Sequence, residues 1–581
     1  MTRTPVTYGP HPNTDERAIT APARYIGNFH KSLPHQPSDL GDVDPAAYEA
    51  FVGVAAHTLN KGDFETVAEG SKTGPHQTPL NPIPAHVAKL VNPQAGRATD
   101  LSGPDPLHLE MQPAPRVLSQ SAAAEMTELY WMALLRDVSF DTWGASPDIA
   151  AAVTDLTTAF QKGLNDPADA GRLQLGADLP STGGGLDLRT QTLFRAGLRG
   201  EQFGPLVSQF LLQDFNYGAH FIQQTVVPYR AGKNYLTKHS DWLLAQNTGY
   251  DMFRNDYGGD NNYAADKTAY ETPPVRVRLR NMRDIARFVN RDALHQAYFN
   301  AALQLLNWGV KSNAHNFYQN AAIVRQLGFG TLGGPNILAL VSEVATRALK
   351  VVWRQKWLVH RRHRPEAYGG LMQMQMNGLN GAKQAYGLPA WVFNTEAAKR
   401  VVGRPDHTYF LPMAYSAGSP THPSYGAGHA SVAGACVTIL KAWFADANLV
   451  DVINMLPAEG KDPGDKPRIL QPGANGPNMS LPDYTDAAKE LTIHGELNKL
   501  AANVALGRSM GGVHWRSDNT RSLRLGERVA TIMLKRLLPT YSERPLSLSY
   551  INFDGDAVTI HSTGAVKVVG HQDLTDFYAR A

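Results

Sequence analysis

Between residues 120 and 538 the apolar side chains recur mainly at i, i+3, i+4 and i+7, a spacing that lines one face of an α-helix and fits no strand. Gln120–Ser139, Pro147–Leu164, Gln191–Gln213, Met282–Trp308, Gly334–His360, Tyr484–Arg508 and Asn519–Leu538 all carry it. They predict a mainly α protein of helix bundles, and 581 residues exceed the size at which one core keeps growing; two four-helix-bundle-like cores are the expected fold. Tyr217–Pro274 reads as aromatic loops, and Pro457–Pro482 as a Gly/Pro/Asn loop long enough to form a lid. Leu546–Phe553 and Val558–Val569 alternate, are β-branched and flank Asp554-Gly555-Asp556, which predicts a small C-terminal β-hairpin. Residues 1–115, rich in Pro, Gly, Asn and His, read as an extended N-terminal arm with one short helix near Tyr48–Leu59. Such an arm is ordered by lying on something else and suits wrapping over a partner subunit; residues 116–581 form the helical body.

Bulk charge narrows the partners. Lys plus Arg number 55 against 52 acidic residues, a formal charge of +3, so no general attraction to nucleic acid or membrane is expected and any cationic site must be local. The single cysteine, Cys436, excludes an intrachain disulfide and a thiol metal cluster, and its apolar helical setting argues for packing. Imidazole and carboxylate remain as metal ligands. The N-terminal sequence lacks a signal peptide's apolar core and no apolar run approaches a membrane span. A soluble cytoplasmic protein is expected, with export by other routes left open.

Three stretches carry chemistry. Ser419–Leu440, SPTHPSYGAGHASVAGACVTIL, turns through Tyr425-Gly426-Ala427-Gly428 and becomes helical near His429. Glycines ahead of a helix often mark a plain turn, but they also bare N–H groups at the positive end of the helix dipole, where an oxyanion can bind. There His429 could exchange protons with the bound group. The second stretch, KWLVHRRHRPEAYGG, places Lys356 and Arg364 eight residues apart, about 80° round a helix, so both can reach one interior. Pro365 marks a helix end, whereas Arg361, Arg362 and His363 are expected to face solvent or an interface. Dipole compensation alone would also explain this basic cluster.

In the third stretch, ALGRSMGGVHWRSD, Gly511-Gly512 breaks the helix ending at Arg508, so that Arg508 and His514 can converge. Asp518, four residues beyond His514, could accept from one ring nitrogen and leave the other as a ligand; a purely structural histidine is the alternative. Three cations in one bundle core require a highly charged anion, and a tetrahedral phosphate or vanadate meets that requirement.

The ordered set Lys356, Arg364-Pro365, Gly428-His429 and Arg508…His514 resembles the vanadium-dependent haloperoxidases and the related acid phosphatases. KWLVHRRHRPEAYGG and SPTHPSYGAGHA are most similar to the red-algal and cyanobacterial bromoperoxidase branch, and FRAGLRGEQFGPLVSQFLLQDFNYG and the terminal strands extend the resemblance over most of the chain beyond the arm. The resemblance implies vanadate as cofactor, with His514 bonded to vanadium and Lys356, Arg364, Arg508 and the Gly428 amide holding oxygens. His429 would be the acid–base residue, with Lys356 polarising the bound peroxide and His422 near the halide approach. It implies Lewis-acid catalysis with hydrogen peroxide and bromide or iodide, yielding hypohalous acid that halogenates small organic molecules. It also implies a dimer-based homo-oligomer, up to a dodecamer.

The chain departs from the family pattern where Ala427 and Gly507 replace serines and Gln355 replaces an arginine common in the algal branch. Ala427 removes one donor and favours bromide and iodide over chloride; Gln355 could reshape the halide approach. The alternative is an acid phosphatase with phosphate in the same cage, His514 as nucleophile and His429 protonating the leaving group. A non-enzymatic oxyanion-binding oligomer is the fallback should Ala427 signal lost catalysis.

Overall fold

The computed structural model describes residues 25–36, 41–57, 63–71, 85–100, 103–164, 166–169, 175–182, 185–257, 267–379, 382–454, 469–473 and 490–570. Its helices are α1 (Pro45–His57), α2 (Gln120–Leu134), α3 (Pro147–Gly163), α4 (His239–Thr248), α5 (Met282–Arg291), α6 (Gln296–Asn307), α7 (Gly334–Arg354), α8 (Pro365–Met376), α9 (Glu396–Val402), α10 (Gly428–Trp443), α11 (Leu449–Asn454), α12 (Ile493–Met510) and α13 (Arg516–Leu537). Side-chain caps start two of the longer ones. Ser119 Oγ accepts from Ala122 N at 3.1 Å to start α2, and Thr492 Oγ1 accepts from Gly495 N at 3.0 Å to start α12. Each such cap contributes about 1 kcal/mol.

The centre of the molecule is α10, buried along its length except at His429, with α7, α12 and α13 packed around it. Glycines set how close these helices come. A Cβ at Gly434 of α10 would lie 2.0 Å from the Leu523 carbonyl oxygen, and one at Gly526 of α13 would lie 2.0 Å from that of Ser431. Backbones therefore touch where α10 crosses α13, drawing the start of α10 toward the start of α13. At Gly507 a Cβ would meet Ile285 at 2.8 Å, so the serine-to-glycine departure there lets α12 lie close to α5.

Several expectations change. Gln191–Gln213 is not helical. Gly197, Gly200 and Gly204 adopt φ of +80°, +79° and +68°, and the segment winds over α12, where a Cβ at Gly200 would meet Gly495 Cα at 2.8 Å. Its apolar residues are buried by that winding, not by a helical face. Met282–Trp308 breaks at Asp292 into α5 and α6. Gly334–His360 is α-helical only to Arg354 and continues as a π-helical turn, Gln355–His360, that ends where Arg361 takes φ +49°. Tyr217–Pro274 holds α4 and, at its edge, a hairpin of β3 (Phe215–Tyr217) and β4 (His220–Ile222), following a smaller one of β1 (Ser181–Thr182) and β2 (Gly185–Leu186).

The C-terminal hairpin is instead a three-stranded antiparallel meander, because a turn at 562–564 splits the second run. It comprises β5 (Ser547–Ile551), β6 (Ala557–His561) and β7 (Val566–Val569), with Ser547 opposite His561 and Ala557 opposite Val569. Of the expected lid Pro457–Pro482 only 469–473 lie within the described residues, and the extreme N-terminus lies outside them. The described part of residues 1–115 forms a small aromatic cluster (Tyr25, Phe29, Tyr48 and Phe51) around Trp357 of the main body. No helix among the described residues is long and apolar enough to cross a membrane.

Candidate functional site

The close crossing of α10 and α13 brings together side chains from four places: the π-turn after α7, the residue before α8, the 419–429 loop, and the α12–α13 junction. Lys356, fully buried on the π-turn, donates from Nζ to the carbonyls of Pro423 at 2.9 Å and Ser424 at 3.0 Å. Burial and the neighbouring Arg364 and Arg508 push its pKa well below the ordinary lysine value. π-Turns of this kind frequently accompany functional sites. Arg364 caps α8 and donates from Nη1 to Val513 O at 2.8 Å and to His514 Nε2 at 3.0 Å, and from Nη2 to His422 Nδ1 at 2.9 Å. Burial, then Arg508, lower its pKa to about 9.

His514 sits in the turn between α12 and α13. Its Nδ1 faces Asp518 Oδ2 at 2.9 Å, as the spacing of four suggests, and Asp518 also accepts from Trp515 N at 3.1 Å and from the Ser424 hydroxyl. Burial first, then Arg364, Lys356 and Arg508, hold the His514 pKa well below the usual histidine range. The lowered pKa favours a neutral imidazole with Nδ1–H on the carboxylate, leaving Nε2 as the acceptor of the Arg364 Nη1 hydrogen bond.

Arg508, at the end of α12, donates from Nη1 to Val289 O at 2.8 Å and to the Tyr257 hydroxyl. Its buried Nε has no hydrogen-bond partner among the described residues. His429 begins the first turn of α10 with Nε2 3.1 Å from Asp292 Oδ1, and its side chain, 18% exposed, is the one point at which α10 is open. Burial lowers the His429 pKa and Asp292 opposes that shift. The His422 ring lies 5.1 Å from that of Trp353, which also carries Lys356 Nζ 5.6 Å above its face. Burial and the adjacent cations hold His422 neutral. A Cβ at Gly428 would come within 3.0 Å of the Trp353 ring, and the Ala427 amide donates to Ser522 Oγ at 2.8 Å.

Contacts and mutual electrostatic effects thus bring Lys356, Arg364, His422, Gly428, His429, Arg508 and His514, all read from the sequence, into one neighbourhood. One expectation fails: Arg361, Arg362 and His363 are 3%, 0% and 1% exposed, not solvent-facing. Arg362 bridges Glu125 at 3.0 Å and Asp518 at 2.8 Å, fixing the carboxylate that orients His514. Asp292, Tyr257, Ser424 and Glu125 went unnoticed because their partners lie far away in the chain; only the break at Asp292 in a helical pattern was a signal. Gln355 donates to Leu109 O at 2.8 Å and pairs with His360 at 3.1 Å, so its amide is committed away from the cations.

A vanadate anion fits this chamber. Arg364 and Arg508 lower the pKa of Lys356, Arg508 lowers that of Arg364, and the buried Arg508 Nε–H has no acceptor among the described residues. A tetrahedral oxyanion supplies both the acceptors and the negative charge.

Residues 337–542, from α7 to just beyond α13, match the model of the VCPO second helical-bundle domain. Over its length the chain is 32% identical, across 593 aligned residues, to a vanadium-dependent bromoperoxidase of Corallina pilulifera, covering 92% of this chain and 91% of that protein. It is 32% identical over 562 residues to one of Ascophyllum nodosum, covering 93% and 88%. The homohexameric second vanadate-dependent bromoperoxidase of Ascophyllum nodosum superposes with a TM-score of 0.76 at 26% identity, over 97% of this chain and 88% of that one. The chain belongs to the vanadium-dependent bromoperoxidase family.

Proposed function

We propose that this chain oxidises bromide, and iodide, with hydrogen peroxide in a vanadate-dependent reaction, releasing hypohalous acid that halogenates small electron-rich organic molecules. The net step balances as bromide plus hydrogen peroxide plus a proton giving hypobromous acid and water. The observation that carries this reading is the gathering of Lys356, Arg364 and Arg508 about a carboxylate-anchored His514, whose Nε2 accepts from Arg364. His514 Nε2 would be the vanadium ligand, and Lys356, Arg364, Arg508 and the Gly428 amide would hold the oxygens, aided by the positive end of α10. Bound vanadate supplies Lewis-acid activation of peroxide without a redox change of its own.

The remaining chemistry belongs to side chains. With Asp292 holding Nε2–H, the Nδ1 of His429 would be the atom that takes a proton from an incoming peroxide and gives one back to a departing water. Asp292 stabilises the imidazolium formed between those events. Lys356, fixed by two carbonyls, holds positive charge where negative charge builds up. His422, tilted against Trp353, would form the wall by which halide approaches.

The test is a peroxide- and bromide-dependent halogenation assay on vanadate-free and vanadate-loaded protein, run alongside hydrolysis of a phosphate monoester. Halogenation only after loading, with negligible hydrolysis, supports the proposal; hydrolysis without halogenation would favour the phosphatase alternative. The proposal extends to a homo-oligomer built on dimers, to residues 1–115 as its wrapping arm, to 116–581 as the catalytic domain, and to a cytoplasmic location.

A further inference from the structure

The oxyanion chamber is rich in donors, but α10 opens without one from a side chain. Its N-cap, Ala427, has no polar group, and the Ala427 amide is committed to Ser522 Oγ. On the opposite side a tyrosine stands at the chamber edge. Tyr257 accepts from Arg508 Nη1 through its hydroxyl oxygen, while Arg508 Cζ sits 5.1 Å from the centre of its ring. The ring is braced edge-on by Tyr415 at 5.7 Å, and Tyr415 is itself tied down by its hydroxyl to Ala286 O at 2.8 Å.

A phenol has one donor and acceptor capacity. The acceptor side of Tyr257 is used by Arg508, and its O–H has no acceptor among the described residues. Because a cation donates to that oxygen, the O–H is polarised and becomes a stronger donor. Tyr257 therefore touches Arg508 directly, and Arg508 in turn bears electrostatically on Arg364.

We propose that the Tyr257 hydroxyl is a direct hydrogen-bond donor to the oxyanion held in the chamber, a binding role beyond Lys356, Arg364, Arg508 and Gly428. The proposal rests on the reading of the chamber as a vanadate site. It assigns Tyr257 two simultaneous bonds: it accepts from Arg508, which fixes the guanidinium, and donates to the anion. The side chain comes from the segment after α4, outside the matched bundle domain, so vanadate would bind partly through a segment the bundle does not contribute.

The test is vanadate affinity, measured by equilibrium dialysis with elemental analysis at mildly acidic pH. Wild type is compared with Tyr257→Phe, Tyr257→3-fluorotyrosine and His514→Ala. Tyr257→Phe keeps the ring over Arg508 and deletes the hydroxyl, and should weaken binding about tenfold, as expected for one bond to a charged group. Fluorination makes the phenol a better donor and a poorer acceptor. Direct donation therefore predicts affinity at or above wild type, with a ¹⁹F shift on vanadate addition. If both variants are weakened alike, Tyr257 acts only by holding Arg508 and the proposal fails. Wild-type affinity in Tyr257→Phe also overturns it, provided His514→Ala loses vanadate. If wild type and His514→Ala bind equally, the reading of the chamber fails instead.

Discussion

Replacing Asp518 with asparagine should damage both vanadate binding and the fold, in proportions the structure allows one to work out. Asp518 is fully buried and accepts from His514 Nδ1 at 2.9 Å, Arg362 Nη1 at 2.8 Å and Trp515 N at 3.1 Å, as well as from the Ser424 hydroxyl. An asparagine of the same shape keeps one oxygen but puts an amide N–H₂ where a carboxylate oxygen was. If that N–H₂ faces His514, Nδ1 must accept, Nε2 becomes protonated, and the proposed vanadium ligand is lost. Removing such an orienting partner typically costs 10- to 100-fold in affinity, about 1.4–2.7 kcal/mol. The stability cost comes from Arg362. Breaking a buried ion pair costs about 3–5 kcal/mol, but Glu125 remains on the other face of the guanidinium at 3.0 Å, which places the loss near the lower end. Equilibrium dialysis with elemental analysis gives the affinity, and urea denaturation of the vanadate-free protein gives the stability. Vanadate affinity within twofold of wild type in Asp518→Asn would refute the argument that this carboxylate sets the ligand tautomer.

Three further outcomes are expected. Asp292→Asn removes the carboxylate that raises the His429 pKa, so that pKa falls further. His429 serves as a base when neutral, that is above its pKa, so the acidic limb of the halogenation pH–rate profile should move to lower pH while the maximal rate drops; an unmoved or upward-shifted limb contradicts the role of Asp292. Gly434→Ala places a Cβ 2.0 Å from the Leu523 carbonyl, and calorimetry should register about 1–3 kcal/mol of destabilisation from overpacking, with an unchanged melting curve counting against the close crossing of α10 and α13. Val324, Leu327 and Phe329 are 81%, 80% and 69% exposed in one loop, an apolar surface suited to subunit contact, so light scattering at micromolar concentration should report at least a dimer and not a monomer.

The parts of this site legible in the sequence are those linked by short separations. His514 and Asp518 are four residues apart, Lys356 and Arg364 eight, and each pair needs only a local turn to act together. That turn is not the simple helix expected: a π-segment and the left-handed Arg361 carry Lys356 and Arg364 to the chamber. The helix at His429 was legible because a run of small apolar residues follows two glycines. Asp292 and Tyr257 were not, because they meet His429 and Arg508 across 137 and 251 residues, and no local pattern encodes such pairings. Arg362 was misplaced because an arginine is ordinarily exposed; its burial depends on Glu125, 237 residues away. Gln191–Gln213 shows the limit of periodicity: its apolar residues are buried by a coil wound on α12, and the three left-handed glycines were the overlooked sign.

The central claim is that one vanadate sits among Lys356, Arg364 and Arg508, bonded to His514 Nε2. Anomalous diffraction at the vanadium edge from vanadate-soaked crystals tests it most directly. One vanadium peak per chain is expected at bonding distance from His514 Nε2, flanked by the three cationic side chains and absent from crystals of His514→Ala. A peak elsewhere, or the same peak retained in His514→Ala, would contradict it.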